Sequence, residues 1–581
     1  VPMGEFWSDG FGFDAAFSVI EATSIGHVLG RPIIAAEAFT ADRPEAWKLY
    51  PGALKNQGDW AFAAGLNRLV FHTFAHKPYG DRLRPGVTMG PYGVHWDRGQ
   101  TWWPMVADYH RYLARCQFVL SQGRPVADVL YLAAEGAPHV FRPPASALDG
   151  TATLPDKKAW AFDGVSPRIL VELASVRDGR IVFPGGASYR VLVLPAVETM
   201  TPELLRKLAS LVDAGAVVVG QPPKKSPSLE GHPECDREVG ERARALWGGD
   251  RAPATITRRT HGRGAVYWGG ELSATAGELY PAYEATAKVL AAEQVPPDFV
   301  TAAPFRYTHR SLPGREVYFV ANRAGEPVSG TVHFRDGTRV AERWDAVTGT
   351  IARLAVRTPG GVAGAEATLH LDAHQSAFVV FHEDEGPDVA TNPIASGAGG
   401  SAVRVELNGP WSVSFDPAWG GPEHLVFATL CDWTARPEEG VRFYSGIARY
   451  TKGFDLPASA PAARDWLLDL GTVKHLARVR LNGKDLGVVW TAPWQVAITA
   501  AVQPEGNRLE IEVANLWINR LIGDEGLPDD GVQDGKWPDW VLDGSPRPTP
   551  RFTFTTHRFY RKGDPLWPSG LLGPVAILAI R

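Results

Sequence analysis

Short apolar runs alternate with stretches of helical spacing over residues 1–125. The runs at 4–7, 32–36 and 68–71 are typical of strands, the last two of buried ones. Apolar residues follow a helical spacing at 13–29, 60–66 and 103–122. Strands and helices in this order, with short connections, predict parallel βα units.

Three βα units fit into residues 1–125, whereas a closed (β/α)8 barrel needs eight strands and roughly 250 residues. We therefore expect residues 1–125 to be the C-terminal part of a (β/α)8 catalytic barrel. Its other strands are expected in an upstream segment or in a separate chain. The stretch from Val1 to Trp7 resembles a domain interior rather than a targeting leader, so we expect a mature or truncated piece.

Residues 126–300 repeat the α/β pattern without the motifs of a catalytic domain. Buried strands are predicted at 126–132, 189–194 and 216–220, and Thr201 followed by Pro202 predicts the start of a helix over 201–214. The region has no glycine-rich phosphate loop, and no serine or cysteine stands at a nucleophile elbow. We interpret it as an α/β structural domain.

The remaining residues change to the period of two that antiparallel sheets require. Residues 301–384 alternate in this way, as in the run from Arg315 to Val320, and predict a β-sandwich. Residues 385–401 are rich in Gly, Pro, Ser and Ala and predict a linker. A second sandwich is predicted over 402–581, with a hairpin turn at Asn482-Gly483. The predicted fold class is multidomain α/β plus all-β.

Composition narrows the function classes. The net charge of −5 arises from interspersed acids and bases, which argues against a nucleic-acid partner. No apolar run reaches the roughly 18 residues of a membrane span. Three widely separated cysteines exclude a disulfide scaffold and a cysteine-built zinc site. The 20 Trp residues favour sugar-binding platforms, although sandwich cores also use Trp.

A carboxylate stands at the end of each of two successive predicted strands, Glu5 and Glu37. Strand C-termini of a parallel barrel open onto its active site, and glycosidic cleavage needs paired carboxyls. The alternative is that each is a solvated loop acid or an ion-pair partner. Adjacent strand ends bring carboxyls to about 5 Å, the separation of a retaining pair, whereas an inverting pair needs roughly 6.5–9.5 Å. An inverting enzyme would therefore take its general acid from the missing strands.

Polar and aromatic residues around these acids are candidate sugar contacts. Trp7 and Asp9 flank Glu5, and His72 and His76 follow the third strand. Four-residue spacing suits a zinc pair only on a helix. Hydrogen bonding to sugar hydroxyls is therefore the preferred interpretation, and a merely buried histidine is the alternative. Trp96 and Trp103 belong to a loop that could stack on a sugar ring, or pack beneath the loop instead.

Three motifs of the barrel region carry a family resemblance. In order along the chain they are Met3-Gly4-Glu5-Phe6-Trp7, Ala35-Ala36-Glu37-Ala38-Phe39-Thr40 and Phe71-His72-Thr73-Phe74-Ala75-His76. They resemble the last three barrel strands of family 106 glycoside hydrolases, which are inverting α-L-rhamnosidases. The last sandwich is separately similar to the galactose-binding-like domain of family 2 glycosidases, in the motifs at 444–450, 481–483 and 519–524.

The resemblance implies roles for two residues. Glu5 corresponds to the general base, and Glu37 to an essential active-site acid that contacts the sugar or a bound calcium ion. The family's general acid has no matching position in this chain. The resemblance also implies a rhamnose-containing glycoside or polysaccharide as substrate, and a periplasmic or secreted location.

Three hypotheses follow. The first is an inverting α-L-rhamnosidase completed by an N-terminal segment, with Glu5 as base. The second is a retaining β-galactosidase-like hydrolase that uses Glu5 and Glu37. The third is a non-catalytic carbohydrate-binding fragment, whose open barrel edge should favour aggregation.

Overall fold

The protein, represented by a computed structural model, is a mixed α/β chain with many strands and few helices. The structure describes residues 1–8, 15–136, 139–336, 340–358, 364–383, 403–456, 463 and 465–580. The predicted linker at 385–401 and the candidate residue Asp9 lie outside the described residues. No helix within the described ranges is both long and apolar enough to cross a membrane.

The first region is a three-stranded parallel sheet with helices between and after its strands. Its strands are β1 (Met3–Trp7), β2 (Ala35–Thr40) and β3 (Arg68–Phe71), paired in chain order. Its helices are α1 (Ala15–Val28), α2 (Pro51–Ala64) and α3 (Ala107–Leu120). The predicted succession of strands and helices is confirmed in this region.

Two helix boundaries differ from the prediction. The helix predicted from residue 60 begins at Pro51, a residue whose fixed φ and missing N–H suit the first turn. The single helix predicted over 103–122 is a 3-10 turn, Trp103–Met105, followed by α3. Pro104 stands in that turn, where its missing N–H costs no helical hydrogen bond.

The second region has a six-stranded sheet that is parallel except at one edge. In spatial order its strands are Thr257–His261 (antiparallel), Gly264–Trp268, Val217–Val219, Val191–Val193, Val129–Leu132 and Phe162–Val165. Its helices are Pro167–Leu173, Pro202–Asp213, Glu234–Trp247 and Tyr283–Ala292. The Thr201 hydroxyl accepts from the Leu204 amide at 3.3 Å, which confirms the predicted helix start. The strand predicted over 189–194 is divided, because Ser188–Tyr189 pairs in a separate small sheet.

The third region consists of two sheets with a shared core. One sheet contains Phe299–Thr301, Val328–Phe334 and Ala365–Leu371. The other contains Ile351–Arg353, Val340–Trp344, Ser376–His382, Arg315–Asn322, Phe305–Leu312 and Arg124–Pro125. Residues 124–125 and 299–300 therefore pair with this region, although the predicted boundaries assigned them to the two preceding ones.

The last region also has two main sheets around one core. One contains Val403–Glu406, Ala576–Ile580, Asp465–Asp469 and Gln495–Ala497. The other contains Leu425–Phe427, Trp411–Ser414, Ile447–Phe454, Asn507–Ala514, Leu476–Leu481 and Lys484–Val489. The predicted hairpin is confirmed: Leu481 pairs with Lys484, and Asn482 and Gly483 have φ of 52° and 80°, as the two central residues of a type I′ turn require.

Helices α2 and α3 join the first region to the third. A buried network links them: the Lys55 ammonium lies 2.6 Å from the Asp59 carboxylate and donates to the Ser376 hydroxyl at 2.9 Å. The Tyr112 hydroxyl of α3 donates to the other oxygen of Asp59. The side chains of Lys55 and Asp59 are 0% and 2% exposed, so each charge depends on its partner.

Replacing Asp59 by Ala is expected to lower the free energy of unfolding by about 3–5 kcal/mol, because the Lys55 ammonium would be left buried without a counter-ion. Urea unfolding measures this loss. Asp108→Ala is the matched control: it removes the exposed pair with Arg111 and should cost at most about 1 kcal/mol. Equal losses in the two variants would contradict the prediction.

Candidate active site

The two faces of the three-stranded sheet differ in what covers them. Helix α1 lies directly on one face, where a Cβ added at Gly4 would come within 2.8 Å of the Ser18 carbonyl oxygen. Phe6 and Ala38 on this face are 0% exposed. On the opposite face Met3 and Val70 are 50% and 45% exposed. One face of the sheet is therefore buried in the hydrophobic core, and the other, called the open face below, is exposed to solvent.

Both candidate carboxylates lie on the open face. Glu5 of β1 and Glu37 of β2 are in-register partners of the parallel pair, so their side chains extend from the same face of the sheet. Both residues are half-buried. Val70 of β3 is the next partner in the row. The structure therefore brings together the two acids that the sequence singled out.

A β-bulge reshapes the end of β2 beside Glu37. The register passes from Phe6 opposite Ala38 to Trp7 opposite Thr40, and Phe39 in between has a left-handed φ of 61°. The Phe39 ring consequently packs on the Phe6 ring at 5.1 Å. The Thr40 hydroxyl donates to the Glu37 carboxylate at 3.0 Å. Bulges commonly re-aim side chains next to active sites, and this one supplies Glu37 with a donor.

Neutral donors hold both carboxylates. The Trp7 indole N–H donates to Glu5 Oε1 at 2.6 Å, so the predicted neighbour of Glu5 orients it directly. The Trp7 ring also meets the half-exposed Tyr92 ring edge-to-face at 6.0 Å. The carboxamide of Gln57 donates to the Trp7 carbonyl at 2.7 Å. The indole and hydroxyl donors therefore fix the orientation of the two carboxylates.

Sequence reasoning missed four residues of this edge: Ser8, Thr40, Glu45 and Gln57. The Ser8 amide donates to the Thr40 carbonyl at 2.9 Å, and its hydroxyl donates to the Glu45 carboxylate. These contacts connect the segment after β1 to the segment after β2. The available signals were that Ser8 directly follows the predicted strand at 4–7 and that Thr40 ends the motif at 35–40.

The two predicted histidines follow β3 in an irregular segment. The His72 amide donates to the Ala38 carbonyl at 3.1 Å, which places it at the carboxyl end of the sheet beside β2. Its ring is half-buried, and His76 is exposed. Because neither residue is on a helix, the four-residue spacing does not aim the two rings at one point.

Trp96 and Trp103 lie on the helix side of the sheet. The Trp96 ring is 7% exposed and stacks on the Phe71 ring at 4.3 Å. Its indole N–H donates to the His110 ring at 2.9 Å. Trp103 is half-buried and packs against Trp96 and His110 at 6.3 and 5.9 Å. This arrangement fits the alternative of aromatic packing beneath a loop, and both residues are left out of the site proposed below.

A buried histidine lies among the loops that follow β2 and β3. His95 is 1% exposed and lies against the Trp47 ring at 4.3 Å. Burial above all, then the nearby charges of Lys77, His72 and His557, lower the pKa of His95 to about 3. Lys77 itself pairs with Asp97 at 3.3 Å. Burial lowers the pKa of Lys77 and raises that of Asp97, and the ion pair opposes both shifts.

Acid is expected to destabilise the fold through two buried histidines. Burial, assisted by Lys474, lowers the pKa of His475 to about 3, as it does for His95. The unfolded pKa is near 6.5, so the folded state binds fewer protons and this contribution to stability is fully present above pH 6.5. It is lost as the pH falls from 6.5 towards 3, by on the order of 2 kcal/mol per histidine at pH 5.

Urea unfolding between pH 7.5 and 4.5 measures this dependence. His475→Gln, which removes the titrating group from a 2%-exposed position, should make the slope of stability against pH shallower in that range. His424→Gln, an exposed histidine of the same region, should leave the slope unchanged. An unchanged slope in His475→Gln would contradict the assignment.

The described residues do not form a complete calcium site. No group of three or more His, Cys, Asp or Glu side chains within the described ranges is placed to hold a metal ion. Calcium binds six to eight oxygen atoms, and the Glu5–Glu37 pair offers two carboxylates. Ligation of calcium by Glu37 therefore stays a prediction, and no step proposed below passes through the ion.

A separate cavity of about 310 Å³ lies between the second and third regions, and its wall includes His309 and Arg335. Burial would lower the pKa of His309, but contacts with Asp298 and Glu316 raise it to about 9. The Arg335 guanidinium pairs with Asp128. The charged side chains of this cavity are thus paired with one another. The open sheet face with Glu5 and Glu37 is therefore the better candidate for an active site.

Comparisons with known proteins point to one family. The model of glycoside hydrolase family 106, described as alpha-L-rhamnosidase, matches residues 1–358. The structure of a rhamnosidase from Novosphingobium sp. PP1Y superposes with a TM-score of 0.82 at 32% identity, over 99% of this chain and 51% of that one. A curated protein of Formosa agariphila named "Putative beta-glucuronidase" is 26% identical over 99% of this chain and 65% of its own length. The chain thus spans between half and two thirds of these relatives.

Proposed function

The chain belongs to glycoside hydrolase family 106, and on that premise we propose that the protein hydrolyses terminal α-L-rhamnosides with inversion. The observation that carries the assignment to glycoside hydrolysis is the pair of carboxylates Glu5 and Glu37 on the open face, and inversion is proposed from the family. Active sites of (β/α)8 barrels lie at the carboxyl ends of the strands. The structural similarity to a rhamnosidase supports the substrate class.

In the proposed reaction Glu5 is the general base. Its carboxylate takes a proton from a water molecule while the water oxygen bonds to the anomeric carbon. The bond from that carbon to the leaving oxygen breaks, and a general acid protonates the leaving oxygen. Trp7 orients the base through its indole N–H. Glu37, held by Thr40, contacts the sugar hydroxyls.

The general acid is proposed to come from barrel strands outside this chain. Within the described residues, β1 and β3 each pair with a neighbour on one edge only. A groove of about 520 Å³ beside β3 is lined in part by Phe71, Leu113 and Phe118. An unpaired strand edge next to an apolar groove suits another βα unit. We propose that residues 1–125 are the C-terminal part of a (β/α)8 barrel, with an α/β domain and two β-sandwiches after it.

A retaining mechanism is the second candidate, and the register favours it. In-register residues of neighbouring strands are about 4.8 Å apart, so the carboxyls of Glu5 and Glu37 fall near the roughly 5 Å separation of a retaining pair. One would then attack the anomeric carbon, and the other would protonate the leaving oxygen. The family assignment outweighs this observation. In the family that the chain resembles, the general acid that works with the residue at the position of Glu5 lies on an earlier barrel strand.

Proton NMR identifies which anomer of the sugar is released first and so tests the two mechanisms. The protein used is the full-length form, that is, this chain joined to the barrel strands proposed to precede it. The α-L-rhamnoside, β-galactoside and β-glucuronide of 4-nitrophenol would be compared, each with and without chelator. Release of β-L-rhamnose first, slowed by chelator, is the expected result. An α-anomer first would establish retention, and cleavage of the other glycosides alone would overturn the rhamnoside assignment. Cleavage of none would favour a carbohydrate-binding role.

Periplasmic or secreted location is proposed from the family alone, and cell fractionation tests it.

A further inference from the structure

Two of the most exposed aromatic side chains of the protein lie at the carboxyl end of the first sheet. Within the described residues, the Phe, Tyr and Trp side chains that are strongly exposed are Phe74, Tyr92 and Phe118, at 64%, 38% and 67%. Phe118 is on helix α3 and lines the groove beside β3. Phe74 and Tyr92 belong to the loops after β3, on the side where a (β/α)8 enzyme binds its substrate. Exposed apolar groups in such a place point to a binding surface.

Tyr92 is held in place by hydrogen bonds on both sides. Its amide closes a tight turn by donating to the carbonyl three residues before it, at 3.2 Å. At the start of the turn, the Thr88 amide donates to the Thr556 hydroxyl of the last region at 2.9 Å. After the turn, the Gly93 amide donates to the Ala41 carbonyl at 2.9 Å. The turn is therefore fixed to the last region and to the segment after β2.

The Tyr92 ring is one side chain away from the proposed base. It meets the Trp7 ring edge-to-face, with ring centroids 6.0 Å apart. The Trp7 indole N–H in turn donates to Glu5 Oε1 at 2.6 Å. Trp7 and Glu5 are two residues apart on β1, so both side chains extend from the open face. A ligand whose reacting carbon lies beside Glu5 is therefore next to the Trp7 and Tyr92 rings.

The chemistry of this corner of the open face suits a sugar ring. An aromatic wall binds the apolar C–H face of a sugar, and Tyr provides such a wall with a polar tip. The carboxylates of Glu5 and Glu37 accept hydrogen bonds only, and the hydroxyl groups at the edge of a sugar can donate to them. Apolar walls with a few convergent polar groups are typical of small-molecule sites.

We propose that Tyr92 is a substrate-binding residue whose ring packs against the apolar face of the sugar that is cleaved off. In an inverting reaction the base and its water lie on the opposite side of the sugar from the leaving group. Because Tyr92 is on the side of the base, it contacts the cleaved sugar and not the leaving group. This inference deepens the proposed function and rests on it, since the position of the sugar is set by Glu5.

Three variants of the full-length form test the proposal. Tyr92→Ala removes the ring and should raise KM about 5–10-fold, with kcat within about twofold of the wild type. Tyr92→Phe keeps the ring and should leave both constants within about twofold. Leu229→Ala, which shortens an 83%-exposed side chain of the second region, should change neither constant. If Tyr92→Ala does not fold, Tyr92→Leu, which keeps apolar bulk without a flat ring, takes its place with the same expected rise.

Titration calorimetry with free L-rhamnose separates the sugar from the leaving group, because rhamnose has no leaving group. We expect Tyr92→Ala to weaken this binding by the same factor as it raises KM. A higher KM for the 4-nitrophenyl glycoside with an unchanged affinity for rhamnose would overturn the inference, since the ring would then bind the leaving group. A lower kcat with an unchanged KM would also overturn it, because Tyr92 would then act on Glu5 through Trp7.

Failure of this inference can be told from failure of the proposed function. The wild-type protein and the glycoside panel decide the function, and the variants are compared on whichever glycoside is cleaved and on its free sugar. Cleavage of a β-galactoside or β-glucuronide alone, with weaker sugar binding in Tyr92→Ala, would reject the function and support the inference. If no glycoside is cleaved, binding of free rhamnose, galactose and glucuronate to the wild type and Tyr92→Ala decides it. Equal affinities in the two proteins, or no sugar binding at all, would overturn it.

Discussion

Replacing Glu5 by Gln in the full-length enzyme is expected to lower kcat by about 10²–10⁴-fold, the usual contribution of a general base. The carboxamide has nearly the same shape as the carboxylate, and its oxygen can still accept the Trp7 indole N–H. It cannot take a proton from the attacking water at neutral pH. The substrate contacts remain, so KM should change little. Steady-state release of 4-nitrophenol measures both constants.

Two comparisons assign the role of Glu5. Because 4-nitrophenolate leaves without protonation, loss of a general acid would spare this substrate relative to a natural rhamnoside. Loss of a base should slow both to a similar extent. Glu172→Gln, at an exposed helical ion pair with Arg168, is the control for the charge change and should keep wild-type kinetics. Near wild-type activity of Glu5→Gln would remove Glu5 from the mechanism.

The chain by itself is expected to be at least about 10²-fold less active than the same chain joined to the barrel strands proposed to precede it. The reason is chemical, since a general acid contributes about 10²–10⁴-fold and the proposed one is outside this chain. The open face, with Met3 and Val70 about half exposed, should gain a cover in the longer form. Release of rhamnose from a natural rhamnoside, whose leaving oxygen needs protonation, measures the difference between the two forms at equal concentrations of folded protein.

Size-exclusion chromatography and circular dichroism of the short form provide the control, because aggregation alone would also remove activity. A folded, monomeric short form without activity supports a missing catalytic group. Addition of the upstream segment as a separate chain should then restore part of the activity. Full activity of the short form would place both catalytic groups within this chain and would favour the retaining pair Glu5 and Glu37.

Local sequence patterns determined much of the fold and one part of the site. The alternation of apolar runs and helical spacing predicted the three βα units, because period and turn chemistry are properties of neighbouring residues. The Asn482-Gly483 turn and the helix start at Thr201 were predictable for the same reason. Glu5 and Glu37 were found because each stands at the end of a predicted strand. The structure places both within longer strands, Met3–Trp7 and Ala35–Thr40, and parallel pairing sets them side by side.

Only the tertiary structure decided the rest of the site. The bulge at Phe39 places the Phe39 ring on Phe6 in the core and accompanies the Thr40 donor of Glu37, and a strand pattern does not encode it. The burial of Trp96 on Phe71 could not be separated from an exposed platform by composition. The contact of Thr88 with Thr556 joins residues 468 positions apart. Such contacts depend on how whole regions pack, and the periodicity of neighbouring residues carries no information about them.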